Sequence, residues 1–295
     1  MGFAMLRFAP SPNGLLHRGH ALSALANEAM ADSLGLPLTV RVEDIDKGRA
    51  RPEFETAILD DLHWLGVRFQ SPILRQSTRF DAYRDVLTEL REKGLVYPSF
   101  ATRREIAEAL PAGAARDPDG APLFPGDQMV LGKRETARRA NNDVPAALRL
   151  DMEKAAAIAG PLTANTVDGD GRATGSVNLD PVLWGDVILA RKETPTSYHL
   201  AVVTDDAAQG ITHVVRGADL EAATAIHRLL QTLLGLPAPK YYHHPLILGP
   251  DGRKLSKSNG GESLKSLREE GLTADELREE LGFSPAGKAK ATHPV

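Results

Sequence analysis

Three times in succession the chain passes from a short β-forming run to a helix-patterned stretch, and this alternation restricts the fold more than any other feature. Leu6-Arg7-Phe8-Ala9 reads as a strand running into the turn formers Pro10-Ser11-Pro12-Asn13-Gly14, and Ala21 to Leu34 is rich in helix-forming alanine and leucine. Leu38 to Val42 is a second strand. From Pro52 to Leu65 the apolar Phe54, Ile58, Leu62 and Leu65 recur at helical spacing. Ile73-Leu74 and the helix-patterned Phe80 to Lys93 make a third unit, closed by Gly94, where a helix C-terminus favours glycine. Strands separated by helices cannot be hairpin partners; they line up parallel, with helices over both faces. The expectation is an α/β fold with a doubly wound parallel sheet.

Between Ser99 and Asp180 the rhythm gives way to short helical pieces, turns such as Asp117-Pro118-Asp119-Gly120 and isolated β-like stretches such as Ala147 to Leu150, which suggests an inserted α+β subdomain. Regular patterning returns with Val187-Ile188-Leu189, Thr212 to Val215, a helix from Leu220 to Leu234 and a strand from Tyr241 to Leu248. A small helical segment, Ser263 to Leu281, and a small-residue tail complete the chain. The division expected is a sheet domain from 1–98 and 181–262, an insertion at 99–180, and the helical segment and tail at 263–295.

No apolar run is long enough for a membrane span, and the opening MGFAMLRFAP lacks the pattern of a secretory signal, so a cytoplasmic protein with no membrane partner is expected. The absence of cysteine excludes disulfides, thiolate nucleophiles and sulfur-based zinc sites. A net charge of −4 gives no global electrostatic case for nucleic acid. The densest basic run, Lys133, Arg134, Arg138 and Arg139, reads either as a local basic face or as a solvated helix face.

Two segments carry candidate chemistry. His17-Arg18-Gly19-His20 follows the first strand and opens the first helix, where free backbone N–H groups and the helix dipole favour phosphate. Two imidazoles could donate to a triphosphate, while Gly19 lets a nucleotide lie against the backbone. Lys254-Leu255-Ser256-Lys257-Ser258 sits in a glycine-rich stretch, and its ammonium groups could follow charge building on phosphate oxygens in an adenylation. Taken singly, the first segment also reads as surface histidines in a helical turn, and the second as a solubilising loop.

Together and in this order, the two segments resemble the signatures of the class I aminoacyl-tRNA synthetases. Arg7 to His17, Arg41-Val42-Glu43-Asp44-Ile45-Asp46, Tyr198 to Asp206 and Thr212 to Gly217 are similar to motifs of the glutamyl branch. The resemblance covers nearly the whole chain and implies a Rossmann-like catalytic core. It implies His17, His20, Lys254 and Lys257 as catalytic residues, and His17, Gly19, His20, Lys254, Ser256 and Lys257 around ATP. For glutamate it implies Arg7 and Tyr198 on the side-chain carboxylate, Glu43 on the ammonium group, Arg216 on the α-carboxylate, and Ser11 and Ala9 in support. Surface ion pairing is the alternative for each charged residue; for Glu43, Asp44 and Asp46 a solvated strand end or a magnesium site also stands open.

Few residues follow Ser258, too few for an anticodon-binding region, and this short layout resembles the glutamyl-queuosine tRNA(Asp) synthetase branch. That resemblance implies ATP with Mg²⁺ as substrate, L-glutamate, and tRNA(Asp) carrying queuosine as the acceptor, with a monomer expected. Many members of the branch carry zinc in the insertion. The corresponding positions here are Ser99, Ala101, Phe124 and Gln128, none of them a credible ligand, so no zinc is expected and packing through Phe100, Leu123 and Phe124 must hold the insertion. His243-His244 offers no substitute, because adjacent strand residues point to opposite faces. A small-molecule adenylyltransferase, or a non-catalytic paralogue sensing glutamate or RNA, are the rival readings.

Overall fold

The computed structural model describes residues 4–249 and 262–286. The three β-α units are present: β1 (Met5–Phe8), α1 (Arg18–Leu34), β2 (Leu38–Val42), α2 (Pro52–Trp64), β3 (Gln70–Arg75) and α3 (Phe80–Glu92). Gly94 follows α3 with φ +68°, a left-handed conformation that glycine adopts without strain. Then come β4 (Val96–Ser99), α4 (Arg103–Ala109), α5 (Asp127–Leu131), α6 (Lys133–Asn141), β5 (Ala147–Leu150), α7 (Met152–Ala159), β6 (Leu162–Val167), β7 (Ala173–Leu179) and β8 (Ile188–Ala190). The remaining elements are α8 (Tyr198–Gln209), β9 (Ile211–Gly217), α9 (Thr224–Leu233), β10 (Lys240–His244), α10 (Leu264–Glu269) and α11 (Ala274–Glu280).

Seven strands form the main sheet in the order β3-β2-β1-β9-β10-β6-β7, parallel throughout except that β7 runs antiparallel to β6. The chain steps outward from β1 to β2 and β3, then returns on the other side of β1 with β9 and β10. Strand order therefore reverses between β1 and β9, where a crevice opens beyond the carboxyl ends of the strands. One core packs Leu6, Val40, Leu25 and Leu62 beneath α1, α2, α10 and α11; a second packs Leu90, Leu189, Leu200 and Leu230 around α3, α7, α8 and α9. With helices on both faces, β2 is buried along its whole length, Arg41 included.

A smaller antiparallel sheet, β4-β5-β8, pairs Val96 with Leu150 and Leu148 with Ala190. The division expected at 99–180 does not follow the sheets. β6 and β7 fall inside that range yet extend the main sheet, whereas β4 and β8 flank it and belong to the small one. The alternating burial of β6 suits either sheet, and the apolar Val187-Ile188-Leu189 resembles a central strand although it supplies an edge. β10 ends at His244 rather than Leu248, and α9 begins at Thr224 after a 3₁₀ turn rather than at Leu220. No described helix is long and apolar enough to cross a membrane.

Beyond 250–261 the chain rejoins the main sheet domain. The backbone N–H of Leu264 donates to the Leu16 carbonyl at 2.8 Å, and Ser263 forms a bridge with His17. Arg278 on α11 donates to Glu28 of α1 at 2.9 Å and to the Leu65 carbonyl at 2.8 Å, both partners being buried or in the core.

Candidate active site

A cleft of about 430 Å³ occupies the crevice at the strand-order reversal. Every sequence-implied site residue that lies within the described chain lines it: Arg7, Ala9 and Ser11 from the end of β1, His17, Gly19 and His20 from the start of α1, and Glu43, Tyr198 and Arg216 from the facing elements. Lys254, Ser256 and Lys257 lie outside the described residues.

The two histidines cap α1 reciprocally. His17 Nδ1 accepts from the Gly19 N–H, and His20 Nδ1 accepts from the His17 N–H, each at 3.1 Å. Serine and glutamate usually share this task at a helix start. Because both Nδ1 atoms accept, each neutral ring carries its proton on Nε2 and is a donor through that atom. A Cβ at position 19 would lie 3.0 Å from His17 Cε1 and 3.1 Å from its Nδ1, so a larger residue there would press on the capping ring.

On the opposite wall one carboxylate organises two buried arginines. Asp206 on α8 accepts from Arg7 Nε at 3.0 Å and from Arg41 Nη1 at 2.7 Å. Burial opposes the Asp206 charge, but the two guanidiniums outweigh it and its pKa is lowered. Arg41 also reaches Gln209 at 3.0 Å and lies 3.5 Å from Glu43. Burial raises the Glu43 pKa, with Arg41 and then Arg7 acting against the rise. The neighbouring Asp205 turns away from the cleft and accepts from Arg79 Nε at 2.6 Å, Tyr83 Oη at 2.7 Å and Gln76 Nε2 at 2.8 Å.

Arg216 on β9 is 4% exposed, and its bonds are of another kind. Its Nη2 donates to Thr224 Oγ1 at 2.7 Å, its Nη1 to His227 Nδ1 at 3.0 Å and its Nε to His243 Nε2 at 3.3 Å. Among the described residues no carboxylate is paired with it. The guanidinium has five N–H donors, so one on each terminal nitrogen remains. Tyr198 closes this side; burial raises its phenol pKa, and Arg216, Glu43 and Arg7 are the charges it senses most. Burial and then Arg216 push His243 and His199 down to about 4.

Beside the buried Phe100, polar contacts tie down the start of the insertion. The Asp127 carboxylate accepts from the N–H of Phe100 at 2.7 Å, the N–H of Ala101 at 3.0 Å and Ser99 Oγ at 3.1 Å. Phe100 and Ala101 are 7% exposed, but Phe124 is only half-buried, with the Arg149 guanidinium 3.9 Å above its ring. Ser99, Ala101, Phe124 and Gln128 supply no imidazole, carboxylate or thiolate, and they do not fit a zinc ion. Among the described residues no group of three or more His, Cys, Asp or Glu side chains is placed to hold a metal. In the basic run on α6, Arg138 and Arg139 both pair with Glu135, and Arg139 also grips Glu105 and the Phe100 carbonyl.

Sequence reading assigned no role to Arg41, Asp205, Asp206, Thr224 or His227. A signal existed for the aspartates: an acidic pair just beyond the apolar stretch Leu200 to Val203 of a buried helix needs cationic partners.

A model of the tRNA synthetases class I (E and Q), catalytic domain, matches residues 4–289. The Glutamyl-Q tRNA(Asp) synthetase of Rhodobacter capsulatus is 45% identical over 282 residues, spanning 94% of this chain and 99% of that protein. The Glutamate--tRNA ligase of Aquifex aeolicus is 34% identical over 95% of this chain, which spans only 57% of that longer protein. Among solved structures, a glutamate tRNA ligase from Elizabethkingia meningosepticum, in complex with its amino acid, superposes with a TM-score of 0.73 at 26% identity, covering 94% of this chain and 60% of that one. With the family model spanning almost the whole chain and the cleft where the doubly wound sheet reverses, the protein belongs to the class I tRNA synthetases of the E and Q group.

Proposed function

We propose that the protein activates L-glutamate with ATP and passes the glutamyl group to queuosine in the anticodon loop of tRNA(Asp). The observation that carries the first step is the buried Arg216, paired with no carboxylate among the described residues, facing Glu43, Arg7 and Tyr198 across one cleft. A dicarboxylic amino acid needs two cationic or donor groups and one anion, and the cleft offers both. Arg216 takes the α-carboxylate through its two remaining N–H bonds, Glu43 the ammonium group, and Arg7 with Tyr198 the side-chain carboxylate; Ser11 and Ala9 shape the wall.

In the first step an α-carboxylate oxygen attacks the α-phosphorus of ATP and the bond to pyrophosphate breaks. His17 and His20 donate from Nε2 to the phosphates, Gly19 leaves room for the nucleotide, and Lys254, Ser256 and Lys257 take the role their sequence implies on the triphosphate. Magnesium enters with ATP as part of the substrate, held by phosphates and water. In the second step a cyclopentenediol hydroxyl of queuosine attacks the activated carbonyl and AMP leaves. The acceptor rests on the near-equal length and 45% identity of the relative named Glutamyl-Q tRNA(Asp) synthetase. We propose a soluble, cytoplasmic monomer.

Glutamate-dependent pyrophosphate exchange, followed by transfer of labelled glutamate to tRNA(Asp) with and without queuosine, tests both steps. Queuosine-dependent labelling is expected. Exchange without transfer would instead favour a small-molecule adenylyltransferase, and absence of both a non-catalytic sensor.

A further inference from the structure

The three arginines buried at the cleft are treated differently. Arg7 and Arg41 share the carboxylate of Asp206, whereas Arg216 rests on three neutral acceptors, Thr224, His227 and His243. Among the described residues Arg216 has no carboxylate partner, and a guanidinium buried without one is costly, so the arrangement asks for a reason. The hydrogen-bond directions supply one. Arginine only donates, so His227 Nδ1 must be unprotonated and its proton sits on Nε2. That Nε2 lies 3.2 Å from His199 Nδ1, which must then accept, leaving the His199 proton on its own Nε2. The chain Arg216, His227, His199 thus runs one way with both rings neutral. It is packed from the sides: the Trp184 ring meets His199 edge-on at 5.5 Å between centroids, and Tyr198 meets His199 at 5.4 Å and His227 at 5.5 Å. Burial and the Arg216 charge hold His227 well below its ordinary pKa, in keeping with a neutral ring.

We propose that His227, backed by His199, is a positioning residue that fixes the Arg216 guanidinium while leaving its charge uncompensated, so that the charge is reserved for a carboxylate of the amino-acid substrate. The inference rests on the reading of Arg216 as a glutamate contact. A carboxylate at position 227 would hold the guanidinium at least as firmly, but the substrate would then compete with a fixed anion for it.

Three substitutions separate charge from geometry. His227→Asn keeps an acceptor oxygen where Nδ1 stands, His227→Leu removes the acceptor, and His227→Asp puts a carboxylate there. In pyrophosphate exchange, the Asn variant is expected within about 3-fold of the parent KM for glutamate, and the Asp and Leu variants to raise it by about 10-fold or more, with the ATP KM unchanged in all three. In thermal unfolding without ligand, the Leu variant should lose stability and the Asp variant should not, so that for Asp stability and affinity part company. A folded Asp variant with the parental glutamate KM overturns the proposal. Should Asp leave no thermal transition, the Asn and Leu pair decides, and equal glutamate KM values in the two overturn it as well. Arg216→Ala tells the two levels apart. If it keeps the parental glutamate KM, the reading of Arg216 fails and this proposal with it; if it loses glutamate while His227→Asp does not, only the role of His227 fails.

Discussion

Replacing Asp127 by alanine tests whether a carboxylate organises the insertion. Its three accepted bonds tie down the turn that leaves β4: Phe100 N–H at 2.7 Å, Ala101 N–H at 3.0 Å and Ser99 Oγ at 3.1 Å. All three donors belong to residues 7% exposed or less, so water cannot simply replace the lost acceptor. A hydrogen bond to a charged group contributes about 1.5–3 kcal/mol, and the three share one anion, so their sum falls short of additivity, at about 4 kcal/mol. The contacts from Arg139 and Lys192 to the Phe100 carbonyl remain, which keeps the loss local. Four kcal/mol corresponds to roughly a 10³-fold faster hydrogen exchange at the Phe100 and Ala101 amides. Hydrogen exchange read by mass spectrometry checks this on peptides covering 99–101. Glutamate-dependent pyrophosphate exchange should stay within about 2-fold, because the cleft is built on the other sheet, while transfer to tRNA should fall. A chelator should leave the parent protein's protection untouched. Unchanged protection in the variant, or a chelator that strips protection from the parent, would refute the reasoning.

Three further outcomes follow from the structure and the sequence. Asp61 is fully buried with neither carboxylate oxygen hydrogen-bonded among the described residues, and burial raises its pKa from 3.8 to about 6 against the pull of Arg268. The folded state therefore holds that proton more tightly, and the stability this confers below pH 3.8 is lost as pH rises to about 6, by about 3 kcal/mol. Asp61→Asn should recover much of that at pH 8 in urea unfolding and little at pH 4; equal effects at both would discard the explanation. For Glu43, whose free-site pKa is raised above 4.5 by burial, the anionic form binds the substrate ammonium, so glutamate affinity is full above that pKa and lost as pH falls through it. A glutamate KM flat down to pH 4.5 would remove Glu43 from the site. Lys257→Ala should lower adenylate formation by about 10² or more with glutamate affinity largely kept, and equal losses in both would reject a transition-state role.

Local chemistry was legible in the sequence and long-range pairing was not. The three β-α units, Gly94 and the histidine-bearing turn are set by residues within a few positions of one another, so spacing and turn formers reveal them. Asp206 meets Arg7 and Arg41 across 199 and 165 residues, and no local pattern encodes such a partner. In Leu38-Thr39-Val40-Arg41-Val42 alternation alone would turn Arg41 to solvent, yet helices cover both faces of the sheet and it is fully buried. The sheet to which β4, β6, β7 and β8 belong is hidden for a similar reason, since a short strand's composition does not say which sheet it joins.

The segment Tyr198 to Asp206, which resembles a family motif, has a physical meaning of its own. In a helix residues four apart stack on one face, so Tyr198, Val202 and Asp206 stand in a row along α8. The row runs beneath the cleft, with Tyr198 in its wall and Asp206 holding Arg7 in place from below. Asp205 is rotated by about 100°, far enough to leave that row and reach Arg79, Gln76 and Tyr83 at the start of α3. Two adjacent carboxylates on one rigid helix thus couple the cleft-lining Arg7 to the helix from which the chain enters the insertion. Moving that carboxylate off position 206 would take away the anion to which Arg7 donates and leave Arg41 with Glu43 alone, at 3.5 Å, so the spacing from Tyr198 to Asp206 is constrained by geometry as well as by charge.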